Sequence, residues 1–277
     1  MSILEISNSK DFVLPIDNRP KYITSGQPAF EVPIKLVNRK DEISIGLEFI
    51  CDRKLFGSFY KSLHPNFFQQ MGINDGVFIA PFVLSNKLLK HIIFPGDIDL
   101  LIIPYQENNL LLVRSIAVEL KIVRATFAKQ GKSPNDYGFS QASSLLSHGF
   151  PYVAVCHLII SDVSPSNAWR SVSVTQVLDD YGHVSTPQEF YSDMMPRDLL
   201  ERCYGRLIAN CPNNHLGLFT AYPSEDQFWI PRGRHAIASE QFKPNTLYAI
   251  YEFFCRNYNC FLDTPAYPPF CGPIKNH

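Results

Sequence analysis

Two apolar, β-branched stretches separated by a turn signal constrain the fold of this chain most strongly. The stretches "HIIFPGDIDLLIIPYQ" (91–106) and "LLLVRSIAVELKIV" (110–123) have the composition of buried strands, and "ENN" (107–109) between them is typical of a tight turn. This order predicts two antiparallel strands that form a hairpin. Any charged residue inside such strands therefore needs a physical reason to be there.

Four charged residues stand out in the predicted hairpin. Strand side chains alternate between faces, so Asp97 and Asp99 share one side of the first strand, and Glu119 and Lys121 share one side of the second. Burying a carboxylate is costly unless it is paired or binds a metal. The pattern predicts two carboxylates that hold a divalent cation, with an ammonium beside them. We expect Asp99, Glu119 and Lys121 to cluster on one edge of a central sheet.

The flanking segments predict an α/β protein. Residues 41–64 are predicted to be helical in their second part, and their first part is either helix or strand. Strands are predicted at 76–85 and 151–162, with a helix at 139–149 between the hairpin and the last strand. The C-terminal third predicts strands in "WRSVSVTQVL" and "HLGLFTAYPS" and an aromatic-rich helix at 246–258.

Four of these segments together resemble the PD-(D/E)XK nuclease superfamily, which includes restriction endonucleases and many repair and defence nucleases. They are "PGDID", "AVELK", the helix that contains Gln141 and the strand "YVAVCHLII". The resemblance covers about residues 40–165. It implies a restriction endonuclease-like α-β-β-β-α-β core with a mixed central sheet flanked by helices. We expect a single domain over residues 1–277, with an N-terminal elaboration and a C-terminal one at about 166–277.

The resemblance also implies roles for individual residues. Asp99 matches the first metal-binding acid of the motif, with Asp97 as the alternative. Glu119 matches the second ligand, and the backbone carbonyl of Leu120 is a further ligand in such sites. Lys121 matches the lysine that orients or polarises the attacking water.

Two helical residues extend this predicted site. Gln141 resembles a glutamine that some members place near the active site, and Glu48 is the candidate for an acid on the first helix. The implied cofactor is Mg²⁺, which Mn²⁺ can replace.

The implied activity is that of a Mg²⁺-dependent endo- or exodeoxyribonuclease in restriction, antiviral defence or repair. DNA is favoured over RNA as the substrate, and the implied protein partners are a helicase or ATPase subunit or a second copy of the chain. The alternative is a catalytically silent subunit of the same fold that serves in nucleic-acid binding or complex assembly.

Structural interpretations of the same residues stay open at this point. Glu119 and Lys121 can form a solvated stripe on one face of the sheet, and Asp97 can be a turn residue after Pro95-Gly96. Gln141 can be an ordinary polar helix position. A second acid-x-Lys match, Asp52-Arg53-Lys54, has no acidic strand before it and predicts no site.

The charge of the chain gives little support to a nucleic-acid ligand by itself. The net charge is −1, so there is no overall basic field. Two small clusters of basic residues do occur, and each can be interpreted either as phosphate-contacting residues or as ordinary charged loop residues. They are Arg124, Lys129 and Lys132, and then Arg232, Arg234 and His235.

The sequence predicts a cytoplasmic protein without a membrane anchor. The first ten residues lack the basic and apolar regions of a signal peptide, and the longest apolar runs are too short to span a bilayer. The seven cysteines are expected to be reduced.

Overall fold

The computed structural model describes residues 12–20, 30–32, 42–89, 96–131, 133–223 and 229–266. The strands in these ranges are β1 Val13–Pro15, β2 Gly76–Val83, β3 Ile98–Gln106, β4 Asn109–Leu111, β5 Ile116–Ala125, β6 Tyr152–Ser161, β7 Arg170–Val174, β8 Gln188–Ser192, β9 Gly217–Ala221, β10 Arg232–Arg234 and β11 Leu262–Pro265. The helices are α1 Glu42–Cys51, α2 Arg53–Leu63, α3 Pro65–Gln70, α4 Ser85–Leu88, α5 Phe139–Ser147, α6 Met195–Ala209 and α7 Pro244–Asn257.

One curled mixed sheet forms the centre of the molecule. Its main path runs in the order β11, β2, β3, β5, β6, β9 and β10, while β4 pairs with the end of β3 and with β1. The pairs β5–β6 and β6–β9 are parallel, and the other pairs in this sheet are antiparallel. Strands β7 and β8 form a separate hairpin. The predicted α/β class with a mixed sheet is therefore confirmed.

Helices flank both faces of this sheet. On one face, α1 and α2 bury Phe49, Phe56 and Phe59 against the strands. On the other face, α5 and α7 bury residues such as Phe139 and Phe254. Because both faces are covered, the strands at the centre are apolar along nearly their whole length.

The predicted hairpin is present, but its second strand is not continuous. The chain turns at Glu107–Asn108 and β4 pairs with β3, and a 3₁₀ turn at Leu112–Arg114 then separates β4 from β5. The prediction of one long strand over 110–123 is wrong because this turn changes the register. If the β4 register continued, Glu119 would lie opposite Gly96. Instead Leu100 pairs with Val118, which places Glu119 opposite Asp99 one residue further along.

The position of the charged cluster in the sheet also differs from the prediction. Strand β5 lies between β3 and β6, so Glu119 and Lys121 belong to an interior strand and not to an edge of the sheet. The β3–β5 ladder has ended at their level, whereas the β5–β6 ladder continues past them.

Residues 42–63 form two helices, so the strand alternative for the first part of this segment is wrong. Asp52 separates the helices, and its carboxylate accepts hydrogen bonds from the main-chain N–H groups of Lys54 and Leu55, each at 3.0 Å. The second acid-x-Lys match is thus a helix cap.

The predicted strands at β2, β6, β7 and β9 and the helices α5 and α7 are confirmed. The part of the first predicted hairpin strand at residues 91–95 lies outside the described residues. Among the helices that the structure describes, none combines the length and the apolar character needed to cross a membrane.

Candidate active site

Asp99 lies where β3 and β5 separate. Its Oδ2 accepts a hydrogen bond from the main-chain N–H of Leu120 at 2.7 Å, which fixes the carboxylate beside β5. Burial and the nearby Glu119 carboxylate raise the pKa of Asp99 to about 8, against the opposing effects of the Leu120 N–H and Lys121. Asp99 is therefore held in a place where an added cation would favour its charged form.

Glu119 is the most buried charged group of the cluster. Its side chain is 1% exposed, and Nζ of Lys121 lies 2.5 Å from its Oε1. Neither carboxylate oxygen is in a hydrogen bond of normal geometry within the described structure. Burial raises the pKa of Glu119, while the hydrogen-bonding and charge effects of Lys121 lower it.

Lys121 connects the two carboxylates to helix α5. Its ammonium donates a hydrogen bond to Oε1 of Gln141 at 3.0 Å and remains 29% exposed. Burial lowers the pKa of Lys121, but the charges of Glu119, Asp99 and Glu42 outweigh this effect and the net change is upward. The side chain therefore stays cationic and lies within reach of solvent.

Gln141 is also contacted closely by the segment before β3. A Cβ added at Gly96, which has a φ of +105°, would lie 2.6 Å from Nε2 of Gln141. The glycine of "PGDID" thus allows the main chain to approach the glutamine. Gln141 therefore faces Lys121, as the sequence predicts.

A turn of left-handed residues packs over Glu119 and Lys121. Asp136, Tyr137 and Gly138 all have positive φ, at 50°, 52° and 85°. A Cβ added at Gly138 would lie 2.9 Å from Cγ of Glu119, so only glycine fits this approach. Such strained conformations persist only where the surroundings enforce them.

His157 on β6 holds this turn in place. Its Nε2 donates to the carbonyl of Tyr137 at 2.9 Å, and its Nδ1 lies 3.4 Å from Sγ of Cys203. Burial lowers the pKa of His157 to about 4, so the ring is neutral at physiological pH. Because His157 pairs with Lys121 in the β5–β6 register, it joins the turn to the same level of the sheet.

The remaining predicted acids lie before β3 and on α1. Asp97 is half-buried one residue before β3, and Glu48 lies on an exposed position of α1. The acid of α1 that acts on the cluster is Glu42, whose charge raises the pKa of both Asp99 and Lys121. Glu48 stays a prediction, and sequence reasoning missed Glu42 because it did not predict where α1 begins.

His157 was also missed, although a signal was present. It is the polar residue inside the apolar strand "YVAVCHLII", and strand alternation places it on the same face as Val153 and Val155. Glu42 has a weaker signal, since an acid in the first turn of a helix is common without any function.

The cluster offers several ligands to a divalent cation, but its side chains alone do not complete a ligand set. Among the described residues there is no group of three or more His, Cys, Asp and Glu side chains arranged to hold a metal ion. Glu119 nevertheless has a buried Oε2 without a hydrogen-bond partner among the described residues, beside an Oε1 that is paired with Lys121. The Leu120 N–H points to Asp99, and the carbonyl of a strand residue points to the same side as its N–H. Two carboxylates and one carbonyl suit Mg²⁺, which keeps several waters.

The predicted basic groups are placed differently from one another. Arg232 forms an exposed ion pair with Glu201, and Arg234 donates to the carbonyl of Leu216 at 2.9 Å. Both side chains therefore already have partners within the protein. Arg124 and Lys129 are exposed near the end of β5. His235 is exposed after β10, and Lys132 lies outside the described residues.

Comparisons of this chain with protein-family models, with curated proteins and with solved structures give no match.

Proposed function

We propose that this chain is a metal-dependent nuclease of the restriction endonuclease-like fold that hydrolyses phosphodiester bonds, with DNA favoured over RNA. The order of elements from α1 to β6 supports this, since helices α1 to α3, the strands β2, β3 and β5, helix α5 and strand β6 follow one another as in an α-β-β-β-α-β core, with the short elements α4 and β4 inserted between the strands. The proposed roles are restriction, antiviral defence or repair.

The environment of Glu119 carries the proposal. A carboxylate that is 1% exposed, whose Oε2 has no hydrogen-bond partner among the described residues and whose Oε1 is paired with the Lys121 ammonium, is costly to bury. Asp99 lies opposite Glu119, and Lys121 lies beside it. A cation held by Asp99, Glu119 and the carbonyl of Leu120 would remove this cost.

The chemistry follows from the charges of these groups. When bound, Mg²⁺ supplies charge neutralisation at the phosphodiester and a lower pKa for the attacking water. Lys121 then places its ammonium against the negative charge that develops on the phosphate. Gln141 holds Lys121 in the required orientation through its hydrogen bond.

Partners belong to the proposal as well. Because the net charge is −1, binding to DNA would depend on local basic groups or on a partner. The proposed partners are a helicase or ATPase subunit or a second copy of the chain.

A cleavage assay tests the proposal. Plasmid, linear duplex and single-stranded DNA, and RNA as a comparison, are incubated with the protein in Mg²⁺ or Mn²⁺ and in excess EDTA. We expect cleavage of DNA in either metal and none in EDTA. Nucleic-acid binding without cleavage under every metal condition would favour the silent-subunit alternative instead.

A further inference from the structure

A cavity of ≈ 810 Å³ lies at the carboxyl ends of β5, β6 and β9. Its walls are the β7–β8 hairpin, the loop after β6, the start of α6 and the residues that follow β9. This volume is within the range of ligand sites, which is roughly 300–1,000 Å³. The carboxyl ends of parallel strands are also where α/β sheets bind ligands.

Aromatic and aliphatic residues together line much of this cavity. The aromatic side chains among them are Trp169, Phe190, Tyr222 and Trp229, whereas Tyr191 pairs with Ser171 on the opposite face of the β7–β8 hairpin from Phe190. The indole N–H of Trp169 donates to the carbonyl of Ser164 at 3.0 Å, and the hydroxyl of Tyr222 lies 3.1 Å from Oγ of Ser161. Since these two polar atoms already have partners, Trp169 and Tyr222 offer ring surface to a ligand.

Two acidic residues in the wall are used to build it. Asp193 accepts main-chain N–H bonds from Ser164 at 2.7 Å and Met195 at 3.0 Å, and so joins the end of β8 to the loop after β6 and to α6. Asp162 accepts the N–H of Phe127 at 2.8 Å, which fixes the turn after β5. Their charge is therefore partly neutralised by main-chain dipoles.

The cavity and the carboxylate–lysine cluster lie on one face of the same sheet. Helix α6 packs on that face, where its Cys203 contacts His157, the residue level with Lys121. Asp162 lies five residues beyond His157, or about 16 Å along the sheet. Two exposed cations, Lys129 and Arg197, lie at this end of the sheet and favour a polyanionic ligand over an apolar peptide.

We propose that this cavity binds an unpaired nucleobase of the strand whose phosphodiester lies at Asp99, Glu119 and Lys121. The base stacks on the aromatic walls, and the cations contact phosphates beside the cavity. The identity of the ligand rests on the proposed nuclease function, while the binding itself requires no metal and no cleavage.

Tryptophan fluorescence tests this inference directly, because both tryptophans of the chain line the cavity. The full chain in EDTA is titrated with oligodeoxyadenylate of about 12 nucleotides, a length within the range of single-strand binding sites. The control is a deoxyribose-phosphate oligomer of equal length that lacks bases. We expect saturable quenching by oligodeoxyadenylate and little or none by the abasic oligomer.

Substitutions at Phe190 separate stacking from apolar contact. Phe190→Leu keeps an apolar side chain without an aromatic face and should weaken oligodeoxyadenylate binding at least about fivefold, whereas Phe190→Tyr should retain it. The matched control is Tyr181→Leu, since Tyr181 is 91% exposed between β7 and β8 and does not line the cavity. Near-UV circular dichroism shows whether each variant keeps its fold.

Four outcomes would overturn the inference. They are the absence of quenching, equal quenching by the abasic oligomer, full binding by folded Phe190→Leu, and quenching by a leucine-rich peptide but not by oligodeoxyadenylate. Base-dependent quenching by a protein that never cleaves would overturn the nuclease proposal alone. Cleavage by a protein that shows no quenching would overturn only the base-binding inference.

Discussion

Glu119 shows how one residue can be costly to the fold and informative about function. Among the described residues its Oε2 has no hydrogen-bond partner, and the ion pair of its Oε1 with Lys121 is shielded from most solvent. A buried ion pair is weak evidence for stability, since desolvation offsets much of its attraction. Local features that conflict with stability are expected mainly at functional sites.

Asp99 gives a prediction on stability against pH. Its pKa of about 8 in the fold exceeds the ordinary value of about 3.9 in an unfolded chain, so the folded state binds more protons between these values. The contribution of Asp99 to the free energy of unfolding should therefore fall as pH rises from about 4 to about 8. Asp99→Asn should gain stability relative to wild type over this window, as measured by denaturant unfolding in EDTA.

The same measurement with Mg²⁺ provides the control for this prediction. Added Mg²⁺ should stabilise wild type more at high pH, where Asp99 is charged, and should stabilise Asp99→Asn less. A wild-type minus Asp99→Asn difference that does not change with pH would contradict the raised pKa.

Gln141 gives a prediction on activity. Gln141→Ala removes the hydrogen bond to the Lys121 ammonium and should lower kcat/KM for DNA cleavage by about tenfold or more. The free energy of unfolding should change by only about 1 kcal/mol, because the lost bond is part-buried. Unchanged cleavage by this variant would remove Gln141 from the proposed site.

The sequence pattern was sufficient for some residues of the cluster and insufficient for others. Strand alternation correctly put Glu119 and Lys121 on one face of β5, near Asp99 of β3, although the register that joins them was not predicted. Glu42 and His157 depend on how α1 and the turn before α5 pack on the sheet, and short-range patterns do not encode such packing.

Among the elements, the left-handed turn at residues 136–138 is the one most closely tied to the cluster. Its main chain contacts Glu119 and Lys121 through Gly138, and the His157 ring holds the Tyr137 carbonyl. Because the turn leads directly into α5, it also sets the position of Gln141.

His157→Phe tests this positioning role. It leaves the Tyr137 carbonyl without its hydrogen bond, which should cost about 1–3 kcal/mol of unfolding free energy. As a positioning residue, His157 should affect kcat more than KM, because Lys121 and Gln141 would lose their alignment.

A second histidine serves as the matched control. Nδ1 of His215 bonds the carbonyl of Ala238 at 3.1 Å, outside the cluster. His215→Phe should lower stability without lowering kcat in the folded protein. An equal loss of kcat in both variants would mean that His157 acts only through global stability.

The register between β3 and β5 could not be predicted. A hairpin predicted from the sequence continues in one register. The 3₁₀ turn at Leu112–Arg114 changes this register, so that Asp99 and not Gly96 lies opposite Glu119. The predicted meeting of the two carboxylates was therefore reached through a hairpin geometry that the protein does not have.

At the scale of the whole molecule, the C-terminal third completes the central sheet. Strand β9 pairs with β6, β11 pairs with β2, and α7 buries Leu247, Ile250 and Phe254 against the sheet. The predicted strands and helix of this region are present, but their order in the sheet depends on long-range pairing that the sequence does not show.

Truncation tests the dependence on this region. A fragment of residues 1–166 would lose the partner strands of β2 and β6 and the α7 side of the core. We expect it to lack a cooperative unfolding transition by circular dichroism. A cooperative transition would show instead that the segment up to β6 folds without the rest.

Cleavage by Lys121→Ala is the most direct test of the proposed nuclease. With Mg²⁺ and DNA, Lys121→Ala and Glu119→Ala should each lower the rate by at least about 100-fold while the protein stays folded and still binds DNA. The matched control is Lys54→Ala, since Lys54 lies in the helix-cap copy of the acid-x-Lys pattern and should cleave like wild type. Full activity in folded Lys121→Ala, or no cleavage by wild type in any divalent metal, would contradict the proposal.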